Sequence, residues 1–401
     1  MSAIDMSVTP ARTNIIVLTY AVALLQGLML VSFPAVSAVL THDLGLSNSQ
    51  YGAIFLPQVG FAVLGSLLGG ALTKRVGLKA LLLASLLANA ASQTMLITAA
   101  FVTAETRFIT VLGGTAMLGL GFGLGGAPLN GLPGLLFPTG RDSALVALHT
   151  LLGLGLALGP LIAAGFVETG AWTGFPQSLL VLCGILFLLL SVVAAFPVDD
   201  TVPVASPGGN ETPLRSASFW GLVAIAVLYA FAEGTFSNWI VIYLAETRHL
   251  PMTTGTTALS AFWAALVVGR LAVSLLALRL PLQPIWRALP LLMIAAFLAL
   301  PYADSAASGI GLFAAAGLAC SAFFPLTIAV ASQRFPAQVP WVSSMMIAAL
   351  MVGVGLGSFV TGALRELLPL EQLYRLSVAY PVSALALILL LGGRRAATKC
   401  R

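Results

Sequence analysis

The sequence predicts an all-α integral membrane protein: twelve transmembrane helices arranged as two pseudo-symmetric six-helix bundles. Three observations lead there. Of 401 residues, 59% are hydrophobic and 8% charged, with a mean hydropathy of +1.03, against roughly half and a quarter in an ordinary soluble domain. The apolar residues fall into twelve runs, most of them near the ~20 residues that a spanning helix needs. The two halves of the sequence also echo each other at a fixed offset. Twelve spans use roughly 240 to 270 residues, which leaves short connections and no room for a separate soluble domain.

The runs are read in order. The first, 14–40, follows Arg12 and ends before His42-Asp43, and the second, 51–73, stops at Lys74-Arg75. The third, 78–103, follows Gly77 and ends before Glu105 and Arg107. The fourth, 108–136, ends at Phe137-Pro138, the fifth, 143–167, lies between Asp142 and Glu168, and the sixth, 178–196, ends at Pro197. The second half gives 218–244, 254–278, 288–303, 307–333, 341–364 and 375–392, closed in turn by charged or Pro-containing stretches. Val36-Ser37-Ala38 mimics a signal-peptidase site, but the apolar stretch is far too long for a leader, so an uncleaved first span is expected. Between the halves, Pro197 to Ala217 is the longest polar stretch, with Asp199, Asp200, Pro203, Pro207 and Glu211. The expected organisation is a bundle over 1–196, a cytoplasmic linker over 197–217, and a second bundle with its tail over 218–401.

Charge sets the orientation. If both termini face the cytoplasm, 13 of the 18 Lys and Arg lie inside, only Arg107, Arg248, Arg365 and Arg375 lie outside, and Arg270 remains within a span. That bias follows the positive-inside rule. The net charge of +5 and pI near 9.4 are therefore a topology signal and not a nucleic-acid footprint, because the basic residues sit a few at a time between apolar runs. Cys183, Cys320 and Cys400 offer no pairable framework and are expected as thiols.

The internal repeat is carried by three matches. Phe137-Pro138 recurs as Phe335-Pro336, and at the same offset of 198 Gly155 and Gly159 fall on Gly353 and Gly357. Gly70-Ala71-Leu72-Thr73 aligns with Gly269-Arg270-Leu271-Ala272 at an offset of 199. Two parallel repeats with a substrate site between them is the architecture such a pattern describes.

Two six-helix halves, a linker, and the stretch Gly70-Ala71-Leu72-Thr73-Lys74-Arg75-Val76-Gly77-Leu78-Lys79 together resemble the major facilitator superfamily of secondary transporters. The stretch echoes that family's loop signature, in outline G-x-L-A-D-R-x-G-R-K, with Lys74 where an acid is usual. The resemblance implies gating or tethering roles for Arg75 and Lys79, and a cavity lined by spans one, four and seven. Leu148-His149, Gly159-Pro160, Tyr229, Glu233, Trp239, Phe262-Trp263 and Gly269-Arg270 are similar to the fucose-permease branch. That branch's sugar symporters carry acids in spans one and four. This chain has none over 14–40 or 108–136, so sugar specificity is not implied.

Ionisable residues inside a span cost about 2.5 to 3.5 kcal/mol on insertion scales and default to functional candidates. Two qualify. Glu233 lies about 14 residues into span seven, roughly 21 Å from the cytoplasmic end, where a carboxyl can bind the coupling proton, ligate a polar substrate or sodium, or serve packing alone. Gly234 beside it is expected to loosen that helix. Arg270 lies about 8 residues into its span, roughly 12 Å deep, and reads as a gate, an inter-helix tether, a substrate contact or a snorkelling side chain.

Gln26, Asn130, Asn238, Trp239 and Trp263 are the substrate-binding candidates, since amides read hydroxyls and indoles stack on sugars or cations. Amides also bond helices together, so packing is the competing role of each. Gln58, Asn89, Gln93, His149 and Tyr243 form the rest of this polar set, with His149 expected in a shallow, wet position. The glycines over 113–126 have small-xxx-small spacings that suit close helix packing, without the Lys-Ser/Thr of a phosphate loop. Scattered His and Cys provide no zinc spacing, and no nucleophile, base and orienting group occur together.

The function expected is alternating-access transport of a small organic solute, with no cofactor, no enzyme activity and no nucleic-acid partner. Proton-coupled import of a neutral polar, sugar-like metabolite is preferred over proton-coupled efflux of apolar or cationic compounds. A non-transporting membrane sensor or scaffold is the alternative from another class. The bilayer, the solute and protons are the expected partners, a monomer suffices, and short loops suit a bacterial cytoplasmic membrane.

Overall fold

The computed structural model describes residues 10–137, 140–192, 213–276 and 279–399, all helices and connections with no strand among them. Eleven helices are long and apolar enough to cross a membrane. One of them, Asn48–Thr98, has 51 residues, roughly 77 Å at 1.5 Å per residue and more than twice a bilayer core. It divides at Gly77, whose φ of 79° and ψ of 164° interrupt the helix in the left-handed region that glycine tolerates. Counting it as two gives the twelve spans of a multi-pass integral membrane protein. Large apolar side chains left exposed on these helices, Leu188, Leu275 and Leu390 among them, have lipid for solvent.

The boundaries follow the apolar runs. The helices Arg12–Leu30, Ala104–Leu136, Ser143–Glu168 and Gly174–Val192 complete the first half of the sequence. Ala217–Thr247, Met252–Val273, Gln283–Tyr302, Ala306–Arg334, Trp341–Leu364 and Leu370–Leu391 make up the second. The first run is not one helix to residue 40: it breaks at Val31, continues as Ser32–Ala35, and ends in a wide π turn over Val39–Asp43. Most of the linker expected over 197–217, up to residue 212, lies outside the described residues, as does Cys400. Cys183 and Cys320 are buried thiols.

Contacts divide the chain into two compact units. The first comprises Met1–Ser32, Gly60–Gly159 and Thr173–Val202. Three side chains in it cross between helices to backbone carbonyls. Arg12 donates to the Leu136 carbonyl, Tyr20 to that of Ala144 at 2.8 Å, and Lys79 to that of Ser191 at 3.0 Å.

The second unit comprises Phe33–Val59, Pro160–Trp172 and Pro203–Arg401. Span seven is its axis: from Tyr229 to Leu244 every side chain but that of Phe231 is buried, as befits a helix apolar on all sides. The segment 33–59 packs against it and against Trp341–Leu364. The short helix Asn48–Ala53 is started by a capping box between Ser47 and Gln50. It meets span eleven where Gly52 and Gly362 let two backbones touch: a Cβ on Gly52 would stand 2.7 Å from the Ser358 carbonyl oxygen.

The sequence repeat has a structural counterpart within each unit. A Cβ on Gly155 of span five would lie 2.2 Å from the Leu24 carbonyl oxygen of span one, and one on Gly353 of span eleven 2.5 Å from the Ala230 Cβ of span seven. Gly159 and Gly357 extend the same two crossings, against Val31 and Phe231. The third match differs. Gly269 abuts Ser321 in span ten, whereas Gly70 meets nothing within 4 Å. In the first unit, Gly65 fills that role against the Leu120 carbonyl.

Candidate functional site

The candidate site in the second unit is built on a broken helix. Span ten stops at Cys320 and resumes at Phe323. Pro325 accounts for the interruption: it has no N–H to offer the carbonyl four residues earlier, and its ring clashes there. That carbonyl is Ser321's, and it accepts instead from Arg270 Nε at 2.9 Å. The neighbouring Cys320 carbonyl, in the last turn of the first segment, accepts from the Tyr229 hydroxyl at 3.0 Å. Spans seven and eight thus supply donors to a break in span ten.

Tyr229 also donates to Glu233 Oε2, one helical turn along span seven. Glu233 is 9% exposed, and its backbone carbonyl accepts from Ser237 at 2.8 Å. The Arg270 charge is near enough to act on Glu233 through space. Both ionisable candidates therefore belong to one cluster, joined through Tyr229 and the break. Tyr229 is held by its ring, which stacks on Phe323 and Phe324 at centroid distances of 5.3 and 6.1 Å.

Span seven itself continues unbroken through Gly234. The loosening expected there is not seen in this structure. A Cβ on it would lie 3.2 Å from the Val354 carbonyl oxygen, so it gives close approach to span eleven, and the discontinuity sits at the proline of span ten. One turn further on, Asn238 donates from Nδ2 to Ser358 Oγ at 2.7 Å, and its backbone carbonyl accepts from the Tyr51 hydroxyl at 2.7 Å. Trp239 is fully buried, edge-on to Tyr51 at 5.1 Å. Trp263 is half-buried and edge-on to Phe262. Neither indole N–H has a hydrogen-bond partner among the described residues.

In the first unit, Gln26 is buried and accepts from Asn89 Nδ2 at 3.0 Å, and Gln93 donates to Ser32 Oγ at 3.2 Å. This amide seam joins spans one and three. Asn130 is exposed: its Oδ1 lies 3.1 Å from His149 Nε2, and its Nδ2 donates to the Gly126 carbonyl at 2.8 Å. Asn130 and His149 are thus a polar pair at the surface of otherwise apolar helices. Arg75 is exposed near the Gly77 turn, while Lys79 ties the start of span three to the end of span six.

A second ionic cluster lies at the other end of the second unit's helices. Glu246, just beyond span seven's α-helical core, receives Arg365 Nη2 at 3.1 Å and His42 Nε2 at 3.3 Å. Arg248 nearby donates to the Ala303 carbonyl at 3.2 Å and pairs with Asp304 and Glu371. Among the described residues, no group of three or more His, Cys, Asp and Glu could hold a metal ion.

Sequence reasoning singled out Glu233 and Arg270 because charge in a span is rare, but it left Tyr229, the Cys320 and Ser321 carbonyls and Pro325 without a role. A signal existed for the first and last. Tyr229 stands four residues before Glu233, on the same helix face, and Pro325 predicts a freed carbonyl at Ser321. The Glu246–His42–Arg365 cluster joins residues more than a hundred positions apart and has no local signature.

A model of the Major Facilitator Superfamily matches residues 16–316, and the chain belongs to that family, whose members are transporters and not enzymes. Relatives of known sequence include YfiU, an MFS-type transporter of Bacillus subtilis, 29% identical over 161 residues, covering 40% of this chain and 30% of that protein. Bypass of stop codon protein 6 of Saccharomyces cerevisiae is 26% identical over 259 residues, covering 57% of this chain and 50% of that protein. The matches thus span half or less of either relative. Among solved structures, the chain is similar to a bacterial homologue of the human lysosomal transporter Spinster, inward-facing and occupied (TM-score 0.72, 15% identity, 96% of this chain and 98% of that one). It is also similar to the nucleoside transporter NupG (0.76, 14%, 95% and 99%) and to a D-xylose–proton symporter (0.72, 15%, 94% and 97%). At such identities the likeness is one of fold.

Proposed function

We propose that the chain is a secondary active transporter that moves a small organic solute by alternating access, driven by protons that bind at Glu233. The observation that carries this reading is Glu233 itself: a buried carboxyl inside a span, hydrogen-bonded by Tyr229 and within the field of Arg270. A carboxyl kept in hydrocarbon needs a partner or a use, and this one sits beside a helix break, where a small rearrangement changes what it touches. Arg270 acts as the tether that holds the break, and Arg75 and Lys79 as gating residues near the Gly77 turn.

The solute favoured is neutral and polar, with import by symport preferred over efflux. The exposed Asn130–His149 pair offers an amide and an imidazole to hydroxyl groups, and Trp263 offers an indole face. The similar folds that carry nucleosides and D-xylose are in keeping with that class. Gln26 in the first unit and Asn238 and Trp239 in the second are further substrate-binding candidates, each also fixing helix positions within its own unit. The working arrangement is two six-helix halves, 1–196 and 218–401, joined by a cytoplasmic linker. Both termini face the cytoplasm of a bacterial inner membrane, the orientation that puts 13 of 18 basic residues inside, and a monomer carries the full cycle.

The test is solute-evoked proton movement. Purified protein in liposomes loaded with a pH-sensitive dye is offered neutral sugars, nucleosides and lipophilic cations in turn. Internal acidification on adding a neutral polar solute, absent with Glu233→Gln, supports the proposal. A response confined to lipophilic cations favours efflux. No response to any class, with binding still visible as a thermal shift, turns the reading towards a sensor.

A further inference from the structure

We propose that the Tyr229 hydroxyl is a one-hydrogen switch through which the proton on Glu233 controls the tie between span seven and the break in span ten. The inference rests on the reading of Glu233 as the proton site and adds the step by which that proton reaches the backbone.

A phenolic hydroxyl has one hydrogen to give, and here two acceptors compete for it: Glu233 Oε2 and the Cys320 carbonyl, the latter at 3.0 Å. When Glu233 is ionised, the charge-assisted bond is about twice as strong as a neutral one, so the hydrogen goes to the carboxylate. The Cys320 carbonyl is then left at a helix end with no intrahelical donor of its own. When a proton from water binds Glu233, the carboxylic acid becomes a donor and can give its hydrogen to the Tyr229 oxygen. The phenolic hydrogen then rotates about the C–O bond to the Cys320 carbonyl. No covalent bond of Tyr229 breaks, and the only proton gained or lost is the one on Glu233.

The surroundings make the rotation consequential. The tyrosine ring is fully buried and stacked on Phe323 and Phe324, on the far side of the break, so only the hydroxyl hydrogen is free to choose. Arg270 holds the adjacent Ser321 carbonyl in either protonation state, because its donor is a permanently charged guanidinium. Pro325 prevents the helix from reclaiming that carbonyl. One carbonyl of the break is thus fixed while its neighbour answers to the proton. Protonation locks span seven onto span ten, and deprotonation releases it.

The experiment combines two readouts on the full-length protein in lipid nanodiscs, with protons as the only ligand. Infrared difference spectra report titration of the buried carboxyl, and hydrogen exchange over residues 318–326, corrected at each pH for the base-catalysed intrinsic rate, reports the order of the break. In the native protein, exchange should slow as the carboxyl protonates, both signals sharing one midpoint. Tyr229→Phe keeps the stacked ring, so it should keep the carboxyl titration while losing the pH dependence of the corrected exchange at the break. Glu233→Gln, whose amide donates like the protonated acid, should remove the titrating band and hold exchange at its slow level. A pH dependence of the corrected exchange that persists in Tyr229→Phe would overturn the switch while leaving Glu233 as the proton site. A titrating band that survives Glu233→Gln would overturn both.

Discussion

Arg270 donates through Nε to the carbonyl of Ser321 over 2.9 Å, and Ser321 stands four residues before Pro325. An intramembrane arginine and a proline-freed carbonyl therefore satisfy each other. Neither is costly while the other is present, and the pair fixes a discontinuity within one helix turn of the Tyr229–Glu233 bond.

The pair gives a directional prediction. Pro325→Ala returns an N–H to the Ser321 carbonyl, lets span ten close its helix, and displaces Arg270. The helix gains one backbone hydrogen bond while Arg270 loses an acceptor, so thermal stability in detergent should change by no more than about 1 kcal/mol in either direction, while solute accumulation falls sharply. Arg270→Lys, which replaces a planar fork with a point charge, should cost about 1 kcal/mol or more and also impair accumulation. Native accumulation by Pro325→Ala would show that the break is not needed.

The glycine crossings predict a contrast between positions. Gly155→Ala and Gly353→Ala each drive a methyl into a neighbouring span, at 2.2 Å from a carbonyl oxygen and 2.5 Å from a Cβ. Each should destabilise by about 1 to 3 kcal/mol, the usual range for overpacking. Gly70→Ala meets open space and should be neutral or slightly stabilising. Melting curves of the three variants check this, and equal melting of Gly155→Ala and native protein would refute the close contact.

Glu246 predicts a local effect. It is the shared partner of His42 and Arg365, with side-chain exposures of 15%, 44% and 24% respectively, so solvent screens the cluster and each pair contributes only about 0.5 to 1 kcal/mol. Glu246→Gln should speed hydrogen exchange over 39–53, the part of the first half that packs within the second unit, with little change in the core of span seven. Unchanged exchange there would mean that the Gly52–Gly362 contact and the Tyr51 bond to the Asn238 carbonyl hold the segment without the ion pairs.

Asn130 and His149 predict a functional effect without a structural one. Both are exposed, so Asn130→Ala should melt as the native protein does while weakening the apparent affinity for solute by about tenfold, the loss of one hydrogen bond. An affinity unchanged within error would remove this pair from the solute's path.

The fold was largely legible because membrane spans are written in composition: hydrocarbon leaves a helix no choice but to be apolar for about 20 residues. Even the merged helix through Gly77 falls apart into the two expected spans once its length is compared with the bilayer. The glycines at 155, 159, 353 and 357 announced a repeat, and in each unit they serve equivalent crossings. The site was legible only in its charges. Glu233 and Arg270 stand out against apolar neighbours, whereas Tyr229 looks like any aromatic in a span until its hydroxyl is seen between two acceptors. Gly234 was the natural place to look for a flexible joint, but glycine in a packed helix serves close approach as readily as bending. The proline of span ten makes the joint.

The central claim is that Glu233 couples solute movement to protons, and the most direct test separates accumulation from exchange. Native protein and Glu233→Gln are reconstituted in liposomes, and a transported solute is followed under an imposed pH gradient and, separately, in gradient-free counterflow. The account predicts that the variant loses gradient-driven accumulation while counterflow persists, because the carrier still alternates with a permanently neutral side chain at that position. Accumulation by Glu233→Gln equal to that of the native protein would contradict the claim and make the carboxyl a packing group.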